Sequence, residues 1–185
     1  GMSNSSQSKP VKPNTEVEQI ERELSQADLN DLCDATDAAI EDGGGFGWLR
    51  LPSREILERF WQGVIAMPNR VLFVARLDGV ICGTAQLILP PKNNEAQSFS
   101  VKLTTNFVAP WARDHGLARM LLDKVESAAS DLCYEVINLD VRETQKAAIS
   151  LYESHGYKVF GTHPHYAKVA GEVIRGLYYY KTIKS

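Results

Sequence analysis

The sequence predicts a single mixed α/β domain of about seven strands and about four helices, and three observations carry that prediction. Two apolar, β-prone runs, Val71 to Leu77 and Val80 to Leu89, are separated by Asp78-Gly79, a strong two-residue hairpin signal. Leu117, Leu121, Val125, Ala128 and Leu132 recur at three- and four-residue spacing and make one apolar helical stripe. Strand-like and helix-like patterns then alternate to the end of the chain, which is the pattern of a sheet covered by helices.

The elements follow in order. Val17 to Glu23 alternates weakly and reads as a first strand. Ser25 caps a helix carrying Leu29, Leu32, Cys33, Thr36 and Ile40, with Gly43 to Gly45 as its stop. Ser53 caps a second helix with Ile56, Leu57, Phe60, Trp61, Val64 and Ile65 on one side, closed by Pro68-Asn69. The hairpin comes next, then a turn region from Pro90 to Ala96 and a long strand from Gln97 to Val108. After the Leu117 helix, Glu135 to Val141 reads as a strand and Lys146 to His155 as a short helix stopped by Gly156. A strand opens at Tyr157 to Phe160, and Arg175 to Ile183 is the last.

Length and composition bound the function. At 185 residues, 44% hydrophobic and 23% charged, the chain has the balance of one globular domain, assigned to residues 15–185. Gly1 before Met2 reads as the scar of a removed tag, and residues 1–14 as a disordered tail. The net charge is −3 and the basic residues are scattered, so no electrostatic footprint for nucleic acid is present. No apolar run is long enough to span a bilayer, and the polar start is unlike a signal peptide, which together predict a cytoplasmic protein without a membrane partner. Cys33, Cys82 and Cys133 are distant and odd in number, which predicts reduced, packed thiols.

The chemistry concentrates where the long strand meets the Leu117 helix, in Val108-Ala109-Pro110-Trp111-Ala112-Arg113-Asp114-His115-Gly116-Leu117-Ala118-Arg119. Gly116 lets the backbone approach an anion, small Ala118 leaves the first turn uncrowded, and the free N–H groups there sit at the positive end of the helix dipole. Arg113 adds a charge suited to phosphate oxygens. In a dinucleotide-binding fold such a loop follows the first strand, whereas this one follows the fourth.

The spacing Arg113-x-x-Gly116-x-Ala118, preceded by Val108-x-Pro110 and followed by Leu121-Leu122, resembles the coenzyme A loop of the GCN5-related N-acetyltransferase (GNAT) family. A second stretch, Gln145-x-x-Ala148-x-x-Leu151-Tyr152-x-x-x-Gly156-Tyr157, resembles that family's Asn-x-x-Ala-x-x-Leu-Tyr-x-x-x-Gly-Phe signature. The resemblance covers about residues 15–183. It implies a mostly antiparallel mixed sheet splayed between strands four and five, with acetyl-CoA as the acyl donor and no metal. It also implies that Phe107, Val108, Arg113, Asp114, His115, Gly116, Leu117, Ala118, Arg119, Gln145 and Tyr152 bind the donor, with backbone N–H groups near Val108 serving the thioester. Tyr152 is then the acid that protonates the departing thiolate, a transfer close to balanced because thiol and phenol pKa values are near 8.5 and about 10.

Two departures from the family stand out. The usual Asn is Gln145, longer by one methylene, and the fourth strand from Lys102 to Phe107 has none of the carboxylates that many relatives use as general base. Asp140 at the end of the next strand is the candidate base, with Glu41, Asp42 or a water chain as alternatives. His163-Pro164-His165 lacks the further ligands of a zinc site and reads as a surface turn.

Gly43 to Trp48, Asn138-Leu139-Asp140 and Pro164-His165-Tyr166-Ala167 resemble a small-molecule subgroup of the family that includes the tabtoxin-resistance acetyltransferase. Trp48 and Tyr166 are the aromatic candidates for the acceptor site. The acidic balance tolerates a cationic amine, so antibiotics, toxins, amino acids, polyamines and a lysine side chain or protein N-terminus all stay open as acceptors. A coenzyme A binding module without catalysis and a nucleotide-binding protein are the competing classes, and a homodimer is left open.

Overall fold

The computed structural model describes residues 11–44 and 46–183. Most of the predicted tail and the last glycine of the Gly43 to Gly45 stop lie outside the described residues. The elements run β1 (Thr15–Ile20), α1 (Gln26–Glu41), α2 (Arg54–Ala66), β2 (Arg70–Leu77), β3 (Val80–Ile88), β4 (Ser100–Val108), α3 (Leu117–Asp131), β5 (Val136–Arg142), α4 (Lys146–Ser154), β6 (Lys158–Val169) and β7 (Glu172–Thr182), with short 3₁₀ turns at Glu95–Gln97 and Pro110–Ala112. This is the predicted mixed α/β order.

One seven-stranded sheet has the order β1-β2-β3-β4-β5-β7-β6. Every neighbouring pair is antiparallel except β4 and β5. Those two run parallel and pair only from Ser100↔Val136 to Lys102↔Asn138, so beyond Lys102 they diverge and leave a wedge between them. The wedge positions the site, because β4 delivers its C-terminal residues to one wall and β5 to the other.

Alternation along β2 sorts the two cores. Leu72 and Val74 face α1 and α2 with Leu32, Leu57 and Trp61, while Phe73 and Ala75 face α3 and α4 with Leu121, Val125 and Tyr152. Trp61 is fully buried and donates its Nε1–H to Thr36 Oγ1 at 3.0 Å, and Thr36 in turn donates to the Leu32 carbonyl at 2.7 Å. The indole thereby keeps its one polar atom satisfied inside an apolar layer.

Local chemistry sets the boundaries. Ser25 and Ser53 cap α1 and α2 by accepting from Asp28 N and Ile56 N. Asp78 and Gly79, at φ 50° and 82°, form the predicted tight hairpin turn. Gly156, at φ 87°, ends α4 in the left-handed conformation.

Four expectations are corrected. β4 begins at Ser100 rather than Gln97, because Asn94 to Ser98 bond to one another in a local turn. His163-Pro164-His165 belongs to β6: an edge strand tolerates Pro164, and the register slips between His163 and Ala167, bulging the strand outward. Cys133 is exposed in the turn after α3, while Cys33 and Cys82 are buried free thiols. Leu132 and Ile56 are about half exposed, since α3 stops at Asp131 and Ile56 falls outside the buried arc of Leu57, Trp61 and Val64.

Candidate functional site

The turn from β4 into α3 builds an anion cradle. Asp114 and Gly116 both take positive φ, at 67° and 75°, which turns the end of the connection from the sheet into the helix. A Cβ on Gly116 meets nothing within 4 Å, so glycine is required there by backbone conformation and not by space. Gly116 is the N-cap of α3 and no side chain caps the helix, which leaves the first-turn N–H groups available to a ligand.

A cavity of about 400 Å³ opens in front of these groups. Of the residues predicted for donor binding, Phe107, Val108, Arg113, Asp114, Gly116, Leu117, Ala118, Arg119 and Gln145 line it. His115 is exposed and does not, and Tyr152 lines the adjoining cavity described below.

Two side chains of this wall reach across to the connection after α1. Arg113 pairs with Asp42 at 2.5 Å, and Gln145 Nε2 donates to the Gly43 carbonyl at 2.7 Å. Both members of the ion pair are about half exposed, at 53% and 42%, so the pair is worth little and separates easily. The extra methylene of Gln145 is thus used to span to α1.

The first cavity ends at a bulge in β4. Phe107 pairs with Thr84 and Thr104 with Gln86, so Thr105 and Asn106 together stand opposite Ala85. Thr105 takes φ 47°, and Thr84 Oγ1 holds the bulge by donating to the Thr105 carbonyl at 2.7 Å. The bulge aims Asn106 across the wedge at α4, where its Nδ2 donates to the Tyr152 hydroxyl oxygen at 3.0 Å.

Tyr152 is 5% exposed. Burial pushes its pKa above the ordinary tyrosine value, the Asn106 hydrogen bond works in the opposite direction, and the Asp140 charge pushes it up again. With the oxygen already accepting from Asn106, the hydroxyl proton of Tyr152 is left to be donated elsewhere.

A second cavity of about 410 Å³ lies on the other side of Asn106, lined by Tyr152, Asp140, Arg142, Tyr166 and Lys168 together with Phe46 and Leu49. Asn106, Gln145 and Ala148 line both cavities, which therefore meet at the mouth of the wedge. Asp140 pairs with Lys102 at 3.0 Å through Oδ1 and accepts a hydrogen bond from the Tyr166 hydroxyl at Oδ2. Burial first, then this bond to Asp140, raises the Tyr166 pKa.

Tyr166 is seated by a glycine. A Cβ on Gly176 of β7 would lie 2.1 Å from Tyr166 Cγ, so the bulged β6 can lay this ring on β7 only because position 176 has no side chain. Trp48 stacks on Phe46, meets Phe60 edge to face and packs against the α1–α2 core. It lines neither cavity, and Phe46, Gly47 and Leu49 line the second cavity from that segment.

The match to a family model decides the assignment: residues 30–157 fit the acetyltransferase (GNAT) family. The chain belongs to the GNAT acetyltransferase family. It is 59% identical over 130 residues, 70% of this chain and 77% of the other, to an uncharacterized N-acetyltransferase from the hisH-hisA intergenic region of Azospirillum brasilense. An N-acetyltransferase of Staphylococcus aureus Mu50 shares the fold with a TM-score of 0.76 at 18% identity, over 92% of this chain and 99% of that one. A putative acetyltransferase of Salmonella typhimurium, yncA, solved with its cofactor acetyl-CoA, gives 0.72 at 16% identity, over 92% and 95%.

Within this GNAT chain, the residues that sequence reasoning missed are Asn106, Thr84, Arg142 and Gly176. Only a register for β3 against β4 would have exposed the first two, since the bulge sets two residues of β4, Thr105 and Asn106, opposite one of β3. Among the described residues, no group of three or more His, Cys, Asp or Glu side chains is placed to hold a metal, and no helix is long and apolar enough to cross a membrane.

Proposed function

We propose that this GNAT protein transfers the acetyl group of acetyl-CoA directly to a primary amine of a small molecule. The observation that carries the proposal is the junction of the two cavities at Asn106, Gln145 and Ala148, with the buried Tyr152 hydroxyl beside it. The donor side fits a pyrophosphate because the uncapped first turn of α3 and Arg113 face one cavity. The acetyl-CoA held by the Salmonella neighbour supports that assignment. Arg113, Gly116, Ala118 and the backbone of Phe107 and Val108 are the residues to hold the donor, which supplies an activated thioester.

The residues of the chain then divide the proton work. Asp140, lining the acceptor cavity, receives the proton that the amine loses as its nitrogen forms the new C–N bond. Tyr152 gives its hydroxyl proton to the sulfur as the C–S bond breaks, and Asn106 steadies the phenolate oxygen left behind. The products are an N-acetylated amine and a free thiol. An acceptor cavity of about 410 Å³ sits at the small-molecule end of the ligand-site range.

Thiol release from acetyl-CoA across a panel of small amines tests the reading. The expected result is amine-dependent release with a matching N-acetylated product by mass spectrometry. Tight binding of acetyl-CoA with no transfer to any amine, small or peptidic, would contradict it.

A further inference from the structure

The acceptor cavity is charged in a way that the acidic chain as a whole does not suggest. Its charged lining consists of Arg142, Lys168 and Asp140, and the carboxylate is already engaged by Lys102 and by the Tyr166 hydroxyl. Arg142 donates one N–H to the Phe46 carbonyl at 2.6 Å, and among the described residues no carboxylate pairs with it or with Lys168. Glu143, next to Arg142 in the chain, is spent on Arg175. Two cations without counter-ions therefore face one small cavity, and they raise its affinity for an anion.

Geometry orders these charges. Asp140 and Arg142 are two residues apart on β5, so their side chains leave the same face of the sheet about 7 Å apart. Asp140 and Tyr152 line the same cavity, and Arg142 lines it from two residues further along β5, where the Phe46 carbonyl fixes part of its guanidinium. The rest of that fork remains open for a planar, two-oxygen partner, with Lys168 on β6 adding a second charge.

Resting on the proposed acetyl transfer, we propose that the acceptor is an anionic amine: a compact amino acid or aminoalkylphosphonate whose amine reaches Asp140 and Tyr152 while its carboxylate or phosphonate is held by Arg142 and Lys168. The same charges disfavour polyamines, whose second ammonium would lie against Arg142. Arg142 and Lys168 are thus the residues that set acceptor specificity.

The experiment compares free L-amino acids with their carboxamides, with aminoalkylphosphonates, with polyamines and with peptides of the same N-terminal residue. Thiol release from acetyl-CoA gives kcat/KM, and calorimetric titration of the same compounds into CoA-saturated protein gives binding independent of turnover. The expected result is a kcat/KM at least ten-fold higher for anionic amines than for their carboxamides. Arg142→Gln raises KM for the anionic amines at least ten-fold more than for the carboxamides, and Lys168→Gln, at an exposed position, does so several-fold. An unchanged acetyl-CoA affinity reports that each variant is folded. Anionic amines that bind in an Arg142-dependent way without being acetylated would sink the transfer reading and keep this one. Acetylation of carboxamides, polyamines or peptides as readily as free acids would do the reverse, and failure of every anionic amine both to bind and to react would overturn this inference too.

Discussion

Asn106 on β4 donates its amide N–H to the Tyr152 hydroxyl oxygen on α4, 46 residues away, across the gap where β4 and β5 part. The bond turns a buried tyrosine into an oriented proton donor, because it occupies the oxygen from one side and leaves the proton to the other. Replacing Asn106 by Ala is expected to lower kcat about ten-fold through loss of one charge-stabilising donor, with acetyl-CoA affinity nearly unchanged. Asn106→Asp is expected to be worse, since a carboxylate beside the phenol opposes formation of the phenolate. Stopped-flow thiol release on both variants checks the order.

Gly176 and Tyr166 give a second prediction. A methyl at position 176 overlaps the Tyr166 ring, so Gly176→Ala must expel that ring from β7 and break its bond to Asp140. KM for the amine is expected to rise about ten-fold or more while the dissociation constant for acetyl-CoA stays constant, because no β7 residue lines the first cavity. The double variant Gly176→Ala with Tyr166→Ala relieves the overlap and should recover the stability lost by the single variant. Urea midpoints and acceptor saturation curves separate the two effects.

The Arg113–Asp42 pair predicts a competition. Arg113 must leave Asp42 to serve a phosphate, and the pair is half exposed, so the opening is cheap. Asp42→Asn is expected to tighten acetyl-CoA binding a few-fold by freeing the guanidinium, whereas Arg113→Gln should weaken it about ten-fold. Equilibrium titration of both variants at fixed ionic strength reads the opposite signs directly.

Alkaline pH should unfold this protein steeply. Burial raises the pKa of Cys33 and Cys82 from 9.0 to about 11, and burial also leads the upward shifts of Tyr152, Tyr157, Tyr166 and Tyr179. Each group holds its proton in the folded chain above the pH at which the unfolded chain releases it. Stability is therefore intact below pH 9 and falls as pH rises through the cysteine window of 9 to 11 and the tyrosine range above 10. Each titrating group adds up to about 1.4 kcal/mol per pH unit to the slope. Denaturant midpoints from pH 7 to 11 measure it, and Cys33→Ala with Cys82→Ala should flatten the portion between 9 and 11.

What was legible in the sequence followed from local physics. Ser25 and Ser53 announce helix starts, Asp78-Gly79 a hairpin and Gly116 a tight entry into α3, because caps and positive-φ turns are decided by a few adjacent residues. The wall of the first cavity was equally readable, since Arg113 to Arg119 is one continuous stretch. The second cavity was not, because it gathers β4, β5, α4, β6 and the segment after α1. Asn106 meets Tyr152 only through a register slip in β4, and Tyr166 meets Asp140 only through a bulge in β6. Periodicity carries no signal for either slip, and Trp48, chosen for its type, packs into the core while its neighbours line the cavity.

The account turns on Tyr152 as the proton donor at the junction of the two cavities. The measurement that tests it most directly is a rapid-quench single turnover with acetyl-CoA saturating, comparing the protein with Tyr152→Phe over a range of pH. The account predicts acetyl transfer slowed about 100-fold or more in Tyr152→Phe, with acetyl-CoA affinity preserved. Equal single-turnover rates for the two proteins at every pH would contradict it.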